Sequence, residues 1–206
     1  MRHKIVILFI FLATFFLSLV QAVGYEVRFV YDGDTILLDN GEKVRYLGIN
    51  TPEIDHKFQK DEFMAHRARD FNYKLVNGVR LRLEYDKQKR DQYGRLLAYV
   101  FLENGKMVNA LLVQKGLAHV ISKDGNHKYR DLLLSHQRKA MRKKLGIWSR
   151  DFKGDEEFYL GNRGSYLFHR PSCPFGGNIS QSNLVQFGSR YDAFWEGYSP
   201  CSRCKP

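Results

Sequence analysis

Short segments in which apolar and polar residues alternate, several of them separated by glycine-containing turns, recur between residues 25 and 102 and restrict the folds open to this chain. Such alternation is typical of β-strands with one buried face, and Asp39-Asn40-Gly41 is a strong hairpin-turn sequence. The strands predicted on this basis are Tyr25–Tyr31, Thr35–Leu38, Lys43–Ile49, Val79–Tyr85 and Leu96–Leu102. Their order along the chain indicates a meander.

Three other segments place apolar residues at helical spacing, and each ends near a glycine. They are Asp61–Val76, Val108–Lys115 and His127–Leu145. Five meandering strands with helices after the third and the fifth predict an α+β fold. The architecture that fits is a five-stranded β-barrel of the oligonucleotide-binding (OB) class with three helices.

The charge of the chain is unevenly distributed. Its 206 residues include 33 Lys and Arg against 22 Asp and Glu, a formal charge of +11. Residues 1–22 contribute +2, residues 23–150 contribute +9 and residues 151–206 contribute none. A domain as basic as the middle segment usually binds a polyanion, either nucleic acid or an anionic membrane surface. Within it, the basic cluster Arg138–Lys144 is interpreted as a solvated helix face.

The N-terminus has the pattern of an export signal. A short basic start precedes Ile5–Val20, which is almost wholly apolar, and Val20-Gln21-Ala22 then offers residue types that a signal peptidase accepts. We predict a cleaved signal peptide over residues 1–22 and a periplasmic or secreted protein. The alternative is an uncleaved membrane anchor, because the uncharged run from Ile5 to Tyr25 is 21 residues long. A membrane is predicted as a partner only if this segment is retained.

Motifs rich in charged and polar residues lie at or near the predicted strand ends, where the loops of a barrel can converge. They are Asp32-Gly33-Asp34-Thr35, Arg45, Asn50-Thr51-Pro52-Glu53 and Asp91-Gln92-Tyr93-Gly94-Arg95. Phosphodiester cleavage needs a cation held by hard oxygen ligands, planar donors that clamp the phosphate, and a base that activates water. Asp34 suits the first role and Glu53 suits the third. Arg45 and Arg95 suit the second, because guanidinium groups are planar.

These motifs resemble the staphylococcal nuclease (thermonuclease) family over roughly residues 24–149. Further matching segments, in the family's order and spacing, are Gly105-Lys106-Met107-Val108-Asn109, Gly116-Leu117-Ala118 and Leu145-Gly146-Ile147-Trp148. The resemblance implies an OB-fold barrel with three helices and calcium-dependent hydrolysis of DNA and RNA that leaves 3′-phosphate ends. It also implies that Arg45 and Arg95 contact the scissile phosphate and that Glu53 is the general base.

The resemblance implies the ligands of the calcium site as well. Asp34 binds the ion through its carboxylate, and Thr51 completes the site through its backbone carbonyl. The family's second carboxylate ligand is commonly an Asp, and this chain has Asn50 at that position. An Asn keeps an oxygen ligand but removes one negative charge, so we expect weaker calcium binding or a different preferred divalent cation.

A second departure from the family lies at Ser122–Asp124, where the staphylococcal enzyme has tyrosines that line its nucleotide pocket. We expect base stacking to be lost there or to be supplied elsewhere, for example by Tyr93. The basic segment that starts at Lys87 directly precedes the motif Asp91–Arg95. For Lys87 a contact with the substrate backbone is predicted, and the alternative is a solvated loop.

All three cysteines lie in the C-terminal segment, in the motifs His169-Arg170-Pro171-Ser172-Cys173 and Cys201-Ser202-Arg203-Cys204. The ligand pairs His169 with Cys173 and Cys201 with Cys204 suit a tetrahedral structural Zn²⁺ site, and a metal would add folding free energy to a small domain. The pattern from Tyr166 to Pro206 resembles the zinc-binding domain of the Ada DNA-repair protein, with His169 replacing one of four Cys. For an exported protein the alternative is a disulfide between Cys201 and Cys204, which leaves Cys173 unpaired.

A basic helix gives way to an acidic stretch near Trp148–Glu157, so the predicted parts of the mature chain are a nuclease-like domain over 23–149, a linker over 150–156 and a metal-binding domain over 157–206. We predict an exported endonuclease that acts on DNA and RNA with Ca²⁺ or another divalent cation, and with structural Zn²⁺. No protein partner is implied. The alternative is a nucleic-acid binder without hydrolytic activity on the same barrel, which only Asn50 favours. A membrane-surface protein would leave the acidic and arginine pairs unexplained.

Overall fold

The structure, a computed structural model, describes residues 24–54, 60–122, 125–150 and 156–206. The predicted signal peptide, most of the predicted linker and two residues of the segment Ser122–Asp124 lie outside the described residues. Within the described ranges, no helix is both long enough and apolar enough to cross a bilayer.

Seven short strands are described before residue 150. They are β1 Val27–Val30, β2 Thr35–Leu38, β3 Lys43–Tyr46, β4 Ile49–Asn50, β5 Leu81–Glu84, β6 Leu96–Leu102 and β7 His119–Val120. Five of them form a sheet in the order β1-β2-β3-β6-β5, in which β3 and β6 are parallel and the other neighbours are antiparallel. The remaining two, β4 and β7, form a separate antiparallel pair.

The strand count differs from the sequence prediction for a local reason. The predicted strand Lys43–Ile49 is divided, because Gly48 has φ +74, a left-handed conformation that extended backbone cannot contain. Its second part, β4, pairs with His119–Val120, a segment too short to show a periodic pattern. The predicted meander is also wrong in one place, since β3 pairs with β6 in parallel. The α+β character is confirmed, and closure of the sheet into a barrel stays a prediction.

The three predicted helices are present with shorter bounds: α1 Ala65–Val76, α2 Val108–Gln114 and α3 Arg130–Arg142. Helix α1 begins four residues later than predicted, because Met64 has φ 71 and a helix cannot continue through that conformation. The sheet, α1 and α2 enclose the first apolar core, whose fully buried members include Ile36, Val44, Leu81, Val100 and Leu112.

The described C-terminal residues 156–206, here called the tail module, form a smaller unit. Its strands are β8 Tyr159–Asn162, β9 Leu167–His169, β10 Leu184–Phe187 and β11 Ser199–Pro200, in the order β10-β8-β9-β11. Its helices are α4 Pro174–Gly177 and α5 Arg190–Trp195. A short 3-10 helix, Gly146–Ser149, follows α3.

A second apolar core joins the tail module to α3. Met141 of α3 and Trp148 of the 3-10 helix are buried in one cluster with the tail residues Tyr159, Phe168 and Phe194. The aromatic rings meet edge to face, with the centroids of Trp148 and Phe194 5.1 Å apart. Helix α3 therefore packs on the first core with one face and on the tail module with another.

Candidate active site

The turn between β1 and β2 carries a buried carboxylate. Asp34 is 1% exposed, its Oδ2 accepts a hydrogen bond from the Thr51 backbone N–H (2.7 Å), and its Oδ1 accepts one from the Thr35 hydroxyl (3.2 Å). Gly33 permits this packing, because a Cβ there would lie 2.6 Å from Thr51 Cγ2 and 2.7 Å from Ala68 Cβ. The turn is thereby joined to the segment that carries the other predicted ligands.

A buried asparagine on α1 holds the same turn. The Tyr46 hydroxyl donates to Asn72 Oδ1 at 2.9 Å, and Asn72 Nδ2 donates to the Asp32 carbonyl at 3.1 Å. Asp32 Oδ1 in turn accepts a hydrogen bond from the Asp34 N–H at 2.8 Å. Sequence reasoning missed Asn72. Its signal was a polar residue on the apolar face of a helix, with buried apolar residues four positions away on either side.

The guanidinium group of Arg45 lies at the centre of the site. Its Nη1 is 3.0 Å from Asp34 Oδ2 and donates to the carbonyls of Tyr46 (3.0 Å) and Ile49 (2.9 Å). Its Nη2 donates to Asn50 Oδ1 at 2.6 Å. The Arg45 side chain is only 12% exposed. These acceptors fix the position of the Arg45 guanidinium, which is mostly buried.

The three residues predicted to bind calcium are in direct contact. Thr51 donates to Asp34, as described above, and its own carbonyl accepts a hydrogen bond from Asn50 Nδ2 at 3.3 Å. A carboxylate, an amide oxygen and a backbone carbonyl are hard oxygen donors of the kind that Ca²⁺ prefers, so these residues fit such an ion. In this arrangement Arg45 engages Asn50 Oδ1, so an ion bound through that oxygen would share it with Arg45 or displace Arg45 from it.

The strand pair β4–β7 positions Asn50. Asn50 lies opposite His119, and Ile49 lies opposite Val120. Burial, together with the nearby charge of Arg45, lowers the pKa of His119 to about 4. The imidazole is therefore neutral at physiological pH and adds no competing positive charge to the site.

Glu53 lies on the segment after β4, two residues beyond Thr51. Its backbone N–H donates to Glu62 Oε2 at 3.0 Å, and the Glu62 N–H donates to the Glu53 carbonyl at 3.1 Å. Partial burial raises the pKa of the Glu53 carboxyl above its ordinary value, and the charge of Asp32 adds to the rise. The positive charges of Arg45 and Arg95 oppose the rise, because they favour the carboxylate. Glu62, which raises the pKa further, was not foreseen from the sequence.

The charge balance around Asp34 favours a bound cation. Burial raises the pKa of Asp34 to about 7; the positive charge of Arg45 opposes this rise, and the negative charge of Asp32 adds to it. The Thr51 hydrogen bond lowers the pKa, and Glu53 raises it. One guanidinium therefore does not balance the buried negative charge, and a divalent cation would shift the equilibrium towards the carboxylate.

Arg95 is oriented by its own turn. Asp91 Oδ2 accepts a hydrogen bond from Arg95 Nε at 2.7 Å, and Asp91 Oδ1 accepts from the backbone N–H groups of Arg95 (3.0 Å) and Tyr93 (2.9 Å). The side chain of Arg95 is 28% exposed. Asp91 thus engages the inner edge of the guanidinium and leaves the Nη groups of Arg95 available to a substrate.

Lys87 and Tyr93, the two further residues predicted to contact substrate, are both exposed. Tyr93 is 74% exposed, and the Arg95 guanidinium lies 5.5 Å from the centroid of its ring. Lys87 is exposed on the loop after β5. Arg90, in the same basic segment, is bound to the Glu42 carboxylate at 2.8 and 2.9 Å. Of that segment, Lys87 is thus more accessible to a nucleic-acid backbone than Arg90.

The tail module brings its four predicted ligands together. His169 ends β9, Cys173 precedes α4, Cys201 follows β11 and Cys204 lies in the next turn. Their ligand atoms all lie within 4.8 Å of one another, and the three thiols are free. Three sulfur donors and one imidazole fit a tetrahedral Zn²⁺ ion. Burial lowers the pKa of His169 and so favours the neutral imidazole that a metal requires.

Two known protein families match parts of this chain. Residues 43–150, more than half of the chain, match the family described as "Staphylococcal nuclease homologue". The chain belongs to this family. Staphylococcal nuclease homologues similar to it include the thermonuclease of Staphylococcus intermedius, 40% identical over 134 residues that cover 64% of this chain and 79% of that protein. Residues 145–206 match the metal binding domain of Ada, so both predicted resemblances are confirmed.

Two further relatives match a similar length of this chain. The thermonuclease of Staphylococcus hyicus is 38% identical over 128 residues, which cover 61% of this chain and 75% of that protein. Endonuclease YncB of Bacillus subtilis is 41% identical over 138 residues, which cover 65% of this chain and 62% of that protein.

Proposed function

We propose that this member of the staphylococcal nuclease family is a metal-dependent endonuclease that hydrolyses phosphodiester bonds of DNA and RNA and leaves 3′-phosphate ends. The observation that carries the proposal is the convergence of Asp34, Arg45 and Asn50 by direct contacts, with Glu53 and Arg95 acting on the same site. The names of the relatives, thermonuclease and endonuclease, support the same activity.

The residues divide the chemistry among them. Asp34, Asn50 and the Thr51 carbonyl would hold Ca²⁺, which supplies stabilisation of negative charge on the phosphate oxygens. Arg45 and Arg95 would donate hydrogen bonds to the phosphate and to the more highly charged transition state. Since Asp91 engages only the Nε edge of Arg95, its Nη groups can form two parallel bonds to phosphate oxygens.

Glu53 serves as the general base. It accepts a proton from the water whose oxygen bonds to phosphorus, the bond from phosphorus to the 5′ oxygen breaks, and the 5′ oxygen takes a proton from solvent and leaves as a hydroxyl. A raised pKa makes Glu53 a stronger base than an ordinary glutamate. The positive charges of Arg45 and Arg95 limit the rise, because they favour the carboxylate form.

The N-terminal pattern and the cysteine cluster extend the proposal. A cleaved signal peptide over residues 1–22 would direct the protein to the periplasm or the medium, and retention of that segment would anchor it to a membrane. The cluster of His169, Cys173, Cys201 and Cys204 would hold a structural Zn²⁺, because four protein ligands leave no coordination position for a substrate.

Digestion of plasmid DNA and of RNA by the purified protein tests the activity. We expect cleavage with Ca²⁺, none with a chelator, and products with 3′-phosphate ends. The alternative function, nucleic-acid binding without hydrolysis, is favoured by Asn50, which lacks the charge of an aspartate. It would give a gel shift with intact nucleic acid under every metal condition, and that outcome would refute the proposal.

Two substitutions test the assigned roles. Glu53→Gln removes the base, and Arg95→Ala removes a phosphate contact; each should lower kcat by roughly two orders of magnitude or more while DNA binding persists. Glu157→Gln, on an exposed carboxylate of the tail module, is the matched control and should cleave at the parent rate. Full activity of either site variant would disprove the role given to that residue.

A further inference from the structure

One polar side chain bridges the tail module and the strand pair that carries Asn50. Gln137 of α3 is fully buried. Its Oε1 accepts a hydrogen bond from the Val120 N–H of β7 at 2.6 Å, and its Nε2 donates to the Phe194 carbonyl of α5 at 2.5 Å. A buried amide with both ends satisfied by different parts of the chain fixes their relative position, since either bond is costly to lose.

A ring contact adds to this bridge. The rings of His119 and Phe194 meet edge to face with their centroids 5.4 Å apart. His119 and Val120 together make up β7, so both of its residues are held by contacts that involve Phe194, one through the ring and one through Gln137. β7 is therefore linked to the tail module by one direct ring contact and by the Gln137 bridge.

The position of β7 determines the position of the site residues on β4. The partners of His119 and Val120 in the strand pair are Asn50 and Ile49. Both of these residues bind Arg45, Ile49 through its carbonyl (2.9 Å) and Asn50 through Oδ1 (2.6 Å). A shift of β7 would thus move one candidate ligand of the cation and two acceptors of the central guanidinium together.

Further polar and packing contacts join the tail module to α3. Arg138 Nε donates to the Trp195 carbonyl at 2.8 Å, and the Trp195 ring lies 4.9 Å from the Arg142 guanidinium. Gly197 packs so closely on α3 that a Cβ there would lie 3.2 Å from Leu134 side-chain atoms. The basic cluster Arg138–Lys144, interpreted above as a solvated face, is therefore partly a docking surface.

We propose that Gln137 is a positioning residue of the nuclease site, through which the docked tail module holds the β4–β7 pair and with it Asn50 and the acceptors of Arg45. The proposal rests on the proposed nuclease function. It gives the tail module a role in the affinity of the active-site cation, in addition to its own folding.

The substitution Gln137→Met tests the bridge, because methionine has a similar length and forms neither hydrogen bond. We expect the dissociation constant for Ca²⁺, measured by titration calorimetry without substrate, to rise at least about fivefold. Hydrogen exchange of the Val120 amide should accelerate by about tenfold or more, and kcat should fall. The matched control is Gln114→Met at the exposed end of α2, which should change none of these values.

A second variant covers the case in which Gln137→Met does not fold. Phe194→Leu keeps an apolar side chain in the second core but removes the ring that contacts His119, so a smaller change in the same direction is expected. Removal of the tail metal with a nitrogen-donor chelator selective for zinc over calcium should reproduce the loss of Ca²⁺ affinity.

The outcomes separate the two proposals. If the parent protein binds Ca²⁺ and cleaves DNA, but the folded variants show an unchanged Ca²⁺ affinity and unchanged Val120 exchange, the positioning role is refuted and the nuclease function stands. If the parent neither binds Ca²⁺ nor cleaves, the nuclease function is refuted and the positioning role, which depends on it, is refuted too.

Discussion

The Nη1 atom of Arg45 lies 3.0 Å from Oδ2 of Asp34, a carboxylate that is almost completely buried. The same guanidinium binds Asn50 Oδ1 at 2.6 Å. Asp34 and Asn50, two predicted calcium ligands, are therefore both partners of Arg45, a predicted phosphate contact. We expect an ion that takes these oxygens to free donors of Arg45 for a phosphate, so cation binding and substrate binding should be coupled.

Replacement of Asp34 by asparagine should stabilise the cation-free protein. Burial raises the pKa of Asp34 from its ordinary value of 3.8 to about 7, so the folded state holds this proton more tightly than the unfolded state. The stabilisation of the folded state that comes from binding this proton is fully present below pH 3.8 and is lost as the pH rises through about 7. At pH 8 we expect the free energy of unfolding of Asp34→Asn to be roughly 1–3 kcal/mol higher than that of the parent.

Urea unfolding at pH 5 and pH 8 with a chelator present measures this effect, which should be larger at pH 8. Asp39→Asn, in the exposed hairpin turn, is the control and should leave stability unchanged. Asp34→Asn should also weaken Ca²⁺ binding strongly. A variant less stable than the parent at pH 8 would contradict the expectation.

Replacement of Asn50 by aspartate should strengthen the cation site. The side chain adjoins Thr51 O and lies across Arg45 from Asp34, so an added negative charge acts directly on an ion bound there. We expect the dissociation constant for Ca²⁺ to fall by about tenfold in Asn50→Asp. Titration calorimetry measures it, with Asn40→Asp in the exposed hairpin as the matched control. Equal Ca²⁺ affinities of parent and Asn50→Asp would show that this side chain is not a ligand.

Much of this site could be predicted because its residues stand in short motifs with a specific order and spacing. The contacts among them could not. The sequence predicts roles for Asp34 and Arg45 separately, but their pairing depends on the three-dimensional path of β2 and β3. Asn72, which is distant in sequence from the turn that it holds, has no local pattern that shows its partner.

The short elements were the other part that sequence could not show. A two-residue strand such as β7 has no periodicity to detect, so its pairing with β4 emerges only from the fold. Gln137 likewise has the identity of an ordinary surface residue of a helix. Its burial results from the docking of the tail module on α3, which the charge pattern of that helix did not indicate.

Neutralisation of Glu62 should shift the pH dependence of catalysis. Glu62 raises the pKa of Glu53, while its Oε2 accepts a hydrogen bond from the Glu53 N–H, an interaction that a glutamine oxygen can also make. In Glu62→Gln the pKa of the base should fall, so the acidic limb of the kcat/KM profile should move to lower pH by roughly a few tenths of a unit. Glu103→Gln, on the exposed turn after β6, should leave the profile in place. A limb that moves to higher pH would exclude Glu53 as the titrating base.

The cysteine cluster should hold one zinc ion whose loss unfolds the tail module. Cys201 is buried and one of four donors within 4.8 Å, so Cys201→Ser removes a thiolate ligand while changing little volume. We expect the zinc content to fall from about one ion per chain to a small fraction, and the thermal transition of the tail module to fall or disappear. Ser202→Ala, at the exposed neighbouring position, should retain both the metal and the transition. A parent protein with one free thiol and no zinc would instead indicate a Cys201–Cys204 disulfide.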